Sequence, residues 1–484
     1  MTDAPPTLTK MRLCESAFPP AEKNVETAGL GFGMLRIDVD YGPHRSAVEA
    51  ALRAGVRVFD LGSMERTDRS SSAWKKFKFV REIFKDCQFP ETLEFLIRGD
   101  LGQAALFQEW QALGKDNDHG RSELTPVFTY LVADPEFAIR QAADQEHAAL
   151  ELYEKLTSEF KFLEGLAEAG IIRDYGVASA GFTYAKEDPY FLSLFALYHG
   201  EEGSAHSALK SHTPFPHFRA VEFPFNLYES SAYQFENQSD GQSNFTLLKA
   251  AAKCGFRTYA RRPLDALTNT QLLRFISYPD HHRLDLDAAV MRTFQVALAA
   301  ELEVGKEIEE SKSPAWAHRL KNSLKQITDP EQWKEIRRRR IDRDLEIIYA
   351  SPSEPSRKMD HYLSAMEALL LAIQLWCEKK GAERNERIRA KIVSAAPASR
   401  GSANGKPWSL AETAFHLYRS VPHLDCVLVG MRSPKYVEMA LGIFSLGEKP
   451  LDPDVLGRAF EAAHSAIHAS LEIAENPSHP EMLS

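Results

Sequence analysis

From residue 28 onward, short apolar runs alternate with longer stretches whose apolar residues recur three and four positions apart. The short runs predict strands at Val56–Phe59, Leu93–Ile97, Val127–Val132, Asp174–Ala178, Ala220–Phe223, Phe256–Ala260 and Cys426–Val429, with a first short element near Leu30. The helical spacings lie between them. His44 to Ala54 is one, closed by Gly55, and Leu150 to Ala169 is another, closed by Gly170, each glycine serving as a C-terminal stop. Strands that alternate with helices imply βαβ units and a parallel sheet. About eight of them favour a closed (β/α)8 barrel, a TIM barrel, over an open sheet.

One interval breaks the rhythm. About 165 residues separate Ala260 from Cys426, where a single βα unit needs about 30. Most of this segment has helical spacing, at Met291 to Glu310 and Met366 to Lys380. The pattern therefore predicts an N-terminal extension (1–27), a first part of the barrel (28–267), a helical insertion (268–408) and a last part of the barrel with a C-terminal helix (409–484). The insertion ends in ASRGSANGKP (398–407), a link of flexible composition. A smaller polar stretch, 198–217, reads as a surface loop.

Composition narrows the function classes. The 484 residues are 44% hydrophobic, with a net charge of −10 and a pI near 5.9. That balance argues against general nucleic-acid or anionic-membrane binding. The five cysteines, Cys14, Cys87, Cys254, Cys377 and Cys426, are scattered and form no CxxC, which suits a reducing compartment rather than a disulfide framework or structural zinc. No apolar run approaches the roughly 18 residues of a membrane span. The first 20 residues lack a signal or transit pattern, so the expected location is cytoplasmic.

Six phrases together resemble the aldo-keto reductase superfamily, in order and at barrel-like spacing. They are GLGFGMLR (29–36), AGVRVFD (54–60), LEGLAEAGIIRDYGVAS (163–179), AVEFPFNLYE (220–229), KCGFRTYARRPLDAL (253–267) and SLAETAFHLYRSVPHLDCVLVGMRSPKYVEMAL (409–441). The resemblance implies the barrel fold, NADPH as cofactor and carbonyl reduction by an Asp, a Tyr, a Lys and a His at strand ends. The Tyr is the acid that meets the alkoxide formed by hydride transfer. A phenol has an ordinary pKa near 10, so it needs a neighbouring cation to donate near neutrality.

Asp60 matches the family's Asp. At or beside the Tyr position stands Glu65, and the nearest following tyrosine is Tyr130. Arg98 or Asp100 stands where the Lys belongs, and Ala133 where the His belongs. For the nicotinamide, the matching positions are Ser179 and Glu222. A carboxylate in place of the family's Gln can accept from the amide NH2 but cannot donate to its oxygen. The phosphate end keeps more suitable chemistry in Gly430, Arg432, Ser433 and Lys435, joined by Arg262: a backbone approach, a hydroxyl and cations suited to a 2′-phosphate.

Each of these has a purely structural alternative. Asp60 pairs with Arg98 across the strand ends, and Ser433-Pro434 simply starts a helix. The carboxylates Glu65, Asp100, Asp134 and Glu222 form either an acidic mouth or solvated loop groups. Arg337 to Arg340 is a basic run flanked at helical spacing by Glu331, Glu335, Asp342, Asp344 and Glu346, which reads as a solvated helix. The spacing of His199, His206, His212 and His217 fits no helical metal pair, and no metal ligands are expected.

The expectation is an aldo-keto-reductase-like barrel unfit for ordinary carbonyl reduction. It acts as a binding or scaffolding protein that retains NADP(H), with 268–408 as the surface for a protein partner. The alternatives are an NADP-dependent oxidoreductase with a rebuilt site and a carboxylate- or metal-dependent hydrolase. Replacement groups from the insertion, His318, Lys321, Tyr349 or Tyr362, stay open on the sequence alone.

Overall fold

The computed structural model describes residues 28–64, 72–87, 92–107, 125–140, 142–200, 213–268, 272–279, 281, 283–306, 315–324, 327, 329–350, 357–401, 405–446 and 449–475. Eight parallel strands close into a barrel. In chain order they are β1 (Gly29–Gly33), β2 (Val58–Ser63), β3 (Thr92–Gly99), β4 (Thr125–Ala133), β5 (Asp174–Ala178), β6 (Phe218–Pro224), β7 (Arg257–Arg261) and β8 (Cys426–Val429). β1 closes the barrel by pairing with both β2 and β8. No helix among the described residues is long and apolar enough to cross a membrane.

The helices start and stop where local chemistry dictates. Gln145–Glu168 begins after Asp144, whose side chain accepts from the His147 N–H, and the chain leaves it through Gly170 at φ 68°. Leu410–Arg419 opens on a capping box between Ser409 and Glu412. The phrase at 163–179 is thus a helix end, a left-handed turn and a strand.

Alternation along the strands divides their side chains into two environments. Outward, Phe59, Phe95, Phe128 and Phe218 pack under the surrounding helices. Inward, Leu96, Leu131, Ala178, Ala220, Tyr259, Cys426 and Leu428 fill a separate apolar layer at mid-height. Small residues make that layer fit. A Cβ on Gly31 would lie 2.8 Å from both Cys426 Sγ and a Leu428 methyl.

Two residues below Leu96 lies Glu94, and two above lies Arg98. Alternation therefore puts a charge at each end of the apolar layer. At the lower end Glu94, 3% exposed, bonds Arg173 at 2.8 Å, Arg257 at 3.1 Å and the Tyr259 hydroxyl at 2.6 Å. Burial pushes its carboxyl up, but Arg257, Arg173 and Tyr259 outweigh it and hold it at about 2.

Between β7 and β8 the chain runs through helices Leu286–Gly305, Trp316–Ser323, Pro330–Ile336, Asp342–Ala350 and Arg357–Ala395, with a π-helical turn at Arg337–Ile341. Their apolar faces form a second core from Leu286 to Cys377, separate from that of the barrel. The 39-residue helix Arg357–Ala395 belongs to both. Its first half supplies Met366, Leu370 and Ile373 to the second core, while Ile388 and Ile392 join the barrel core.

At the crossing point the helix backbone comes close to its neighbours. A Cβ on Gly381 would lie 2.8 Å from Pro330 and 2.9 Å from Tyr278. Beside it Arg384 bonds Asp329 at 2.6 Å, and the Asn385 amide donates to the carbonyls of Arg274 and Ile276. The described residues on either side of 402–404 in the returning link are regular. Pro397–Arg400 is a 3-10 turn, Gly401 and Pro407 form an antiparallel bridge, and the buried Ser399 hydroxyl and His416 Nδ1 lie 3.0 Å apart. The stretch 198–217 starts as the end of helix Leu194–His199, and its central part lies outside the described residues.

Two expectations follow. Because Glu94's folded pKa lies below its ordinary value, its stabilisation is complete above about pH 4.5. It fades as the pH falls toward 2 and is worth on the order of 3 kcal/mol. Urea unfolding of Glu94→Gln should show that loss near neutrality and a flatter decline between pH 5 and 3 than the parent. An unchanged acid slope would remove Glu94 from the account. Arg384→Met leaves Asp329, 1% exposed, without its cation and should cost about 3–5 kcal/mol. Limited proteolysis should then cut within 268–408 ahead of the barrel.

Candidate functional site at the barrel mouth

The upper end of the barrel holds a chain of alternating charges. Arg98, at the end of β3, donates from Nη1 and Nη2 to the two Asp60 oxygens at 2.6 and 3.0 Å. The same guanidinium reaches Glu222 on β6, with Nη2 at 2.6 Å from both oxygens and Nε at 3.1 Å from Oε1. Arg261 at the end of β7 approaches Glu222 at 3.8 Å and bonds Asp134 beyond β4 at 2.5 Å. Asp60, Arg98 and Glu222 are 7%, 8% and 0% exposed.

The geometry explains the electrostatics. Burial works against the Arg98 charge, but Asp60 and Glu222 outweigh it and raise its pKa above the ordinary value. Burial pushes the Glu222 carboxyl up, with Arg98 opposing and Asp60 adding to the push. Asp60 Oδ1 also accepts from the Gly62 N–H at 2.9 Å. The pairing of Asp60 with Arg98 across the strand ends is therefore realised, with Glu222 as its third member.

Next to this chain sits Glu136, 2% exposed. Burial pushes its carboxyl up, while a hydrogen bond with Ser179 pulls it down. Its Oε2 has no hydrogen-bond partner among the described residues. Ser179 Oγ accepts from the Gly181 N–H at 2.8 Å, which leaves the hydroxyl proton for Glu136. Two strand ends at this mouth carry non-glycine residues in the left-handed region, Asp134 at φ 38° and Arg262 at φ 56°. Such strain collects at functional sites.

The rim beside β7 and β8 is basic. Arg262 bonds Glu229 at 2.6 Å, and the Asn226 amide bonds the same glutamate at 2.7 Å. Asp265 faces Arg36 at 3.7 Å and Arg274 at 2.9 Å and feels the charge of Arg432. Gly430, Arg432 and Lys435 are exposed, and Arg432 and Lys435 have no ion-pair partner among the described residues. Ser433 stands at the N-cap of helix Pro434–Phe444 with Pro434 at its first position, but its hydroxyl makes no capping bond. The helix-start reading holds for position, and the hydroxyl stays available.

The residues expected at the two ends of a dinucleotide differ in how free they are. Arg432, Ser433 and Lys435 can meet a phosphate. At the nicotinamide end, Ser179 and Glu222 already serve Gly181, Glu136 and Arg98. The Tyr130 ring lies on the outward face of β4 against Phe107, and burial raises its hydroxyl. Tyr184, nearer the mouth, is also pushed up, by burial and then Glu136. Both shifts oppose proton donation near neutrality. Glu65 lies outside the described residues.

The carboxylates do not converge on one another. Asp134 and Glu222 are bridged by arginines, and Asp100 is exposed and bonded to Gln103. Among the described residues no group of three or more His, Cys, Asp or Glu is placed to hold a metal ion. His217 pairs with Glu164 at 2.7 Å. In the insertion, His318 bonds Glu301 at 2.7 Å, Tyr362 is buried in the second core and Lys321 is exposed. Nothing is described of the Tyr349 side chain. Arg337 pairs with Asp342 and Glu367, and Arg338 and Arg339 with Glu335, as a solvated helix would have it.

Arg261, Glu136, Tyr184 and Glu229 were not singled out by the sequence pattern. Period-2 alternation from Tyr259 does point Arg261 inward, and that was the available signal. No family model matches this chain, and no curated protein matches it.

Removing the Arg98 guanidinium strands two buried carboxylates. Arg98→Met should destabilise by about 3–5 kcal/mol in urea unfolding. Adding Glu222→Gln should restore part of that loss, and strict additivity of the two changes would mean that they do not interact.

Proposed function

We propose that this chain is an aldo-keto-reductase-like barrel that does not perform ordinary carbonyl reduction. It works as a binding or scaffolding protein whose rim retains NADP(H) through its phosphate end. The carrying observation is the full commitment of Arg98 to Asp60 and Glu222. In the family the cation at this place lowers a phenol pKa. A guanidinium neutralised by two carboxylates cannot do so, and it cannot relay a proton itself. Loss of an acid–base group typically costs 10²–10⁴-fold in rate.

Gly430, Arg432, Ser433 and Lys435 would hold the phosphate, whereas hydride chemistry would need a nicotinamide subsite that Ser179 and Glu222 do not provide. The second core, from Leu286 to Cys377, supports the insertion as a partner surface, since it gives that segment a packed body of its own.

One observation favours a second reading, an NADP-dependent oxidoreductase with a rebuilt site. Glu136 is a buried carboxyl at the mouth with a raised pKa, as a general acid requires. A carboxylate- or metal-dependent hydrolase draws less support, because Asp134 and Glu222 are tied to arginines.

NADPH fluorescence titration of the purified protein tests the reading. Binding is expected and should weaken by about tenfold or more in Arg432→Ala, since a charged hydrogen bond is worth about 1.5–3 kcal/mol. A carbonyl screen should consume no NADPH. Consumption that Glu136→Gln abolishes would establish the second reading instead, and absence of binding at millimolar NADPH would remove the cofactor from the function.

A further inference from the structure

The helix Pro453–Glu475 packs against the loop that follows β6. Phe460, fully buried, is the anchor, with ring centroids 5.6 Å from Phe225, 5.8 Å from Tyr233 and 6.3 Å from Tyr418. The Tyr233 hydroxyl donates to the Pro453 carbonyl at the start of the same helix. One and two turns beyond Phe460, on the same stripe, stand His464 and His468. Their rings lie 4.4 Å apart. Tyr228 covers both, stacked on His464 at 5.3 Å and 12° and tilted to His468 at 5.4 Å.

Both histidines are exposed, and neither has a hydrogen bond or ion pair among the described residues. A ring stacked on its face leaves its in-plane nitrogens free, and metals bind in that plane. Two histidines four apart on one helix face are the spacing that chelates a single ion.

We propose that His464 and His468 form a binding site for one divalent transition-metal ion at the rim of the barrel mouth. The chemistry selects zinc, nickel or copper, which favour imidazole, over magnesium and calcium, which require oxygen ligands. No third protein ligand converges on the pair among the described residues. The other positions go to water or to a bound molecule, which makes this an open site rather than a closed structural one. Its place follows from Tyr228. The next residue, Glu229, holds Arg262 at the end of β7, so the ion would sit at the end of the barrel where loops carry function. This inference stands apart from the NADP(H) reading and shares no residue with it.

The test is calorimetric titration of the full-length, chelator-treated protein with zinc chloride, together with copper(II) electron paramagnetic resonance. The expected result is one ion bound through two nitrogens. His464→Ala and His468→Ala should each weaken binding by about tenfold or more, since each reduces a chelate to one ligand. His147→Ala, at an exposed position of the helix Gln145–Glu168, should leave it unchanged. The two positions are exposed, so circular dichroism should register no loss of fold. Zinc affinity indifferent to both substitutions, or no binding at millimolar zinc, would overturn the proposal.

Discussion

A guanidinium sealed inside a barrel is tolerable only if carboxylates surround it. Arg98 imposes that condition on the mouth of this protein. Asp60 takes one edge of the fork and Glu222 the other. Glu222 then needs more positive charge than half an arginine supplies, and Arg261 approaches it from the next strand. Arg261 in turn reaches across to Asp134, which sits in a strained backbone conformation. The ends of five strands are tied together through one chain of contacts. The apolar layer of Leu96, Leu131 and Leu428 beneath it keeps water away and strengthens each contact.

The same construction recurs at the opposite end, where Glu94 is the buried acid and Arg173 and Arg257 are the cations. The barrel is thus three storeys, ionic, apolar and ionic. The two ionic storeys differ in sign. Below, one buried carboxylate meets two arginines and its pKa falls. Above, one buried arginine meets two carboxylates, and Glu222 is pushed upward. The lower arrangement is a clamp in a barrel's stability end, and the upper one stands where barrel enzymes keep their reacting groups. Side chains whose charges are mutually satisfied are poor acids and bases.

Much of this was legible in the sequence. All eight strands and the insertion before the last one follow from hydrophobic period alone, because burial on both faces demands near-continuous apolar runs. The pairing of Asp60 with Arg98 follows from their positions at neighbouring strand ends. Less legible was the role of Glu222, three strands further around the closed sheet. Its contact with Arg98 depends on barrel curvature, which no local pattern encodes. The Arg261–Asp134 link hides for the same reason, as does Glu94 with Arg173 and Arg257, residues far apart in the chain and adjacent only across the barrel floor. Glu136 gave no signal, because an acid after Asp-Pro reads as an ordinary turn until its burial is known.

The helical insertion follows from a different constraint. A segment of this length leaving a barrel edge must bury its own apolar faces, and it does so in a core that the barrel does not share. One helix must still carry the chain back. Arg357–Ala395 is long enough to serve both cores, and its glycine, Gly381, sits where the two bodies touch. The same contact runs through Arg274, which bonds Asp265 on the barrel rim and Glu331 in the insertion. Asp265 lies within the field of Arg432. The rim most suited to a phosphate is therefore electrostatically continuous with the insertion. In such a molecule recognition and chemistry need not share a site. The charges of the mouth hold strand ends together, while Arg432 and Lys435 on the rim have no ion-pair partner among the described residues.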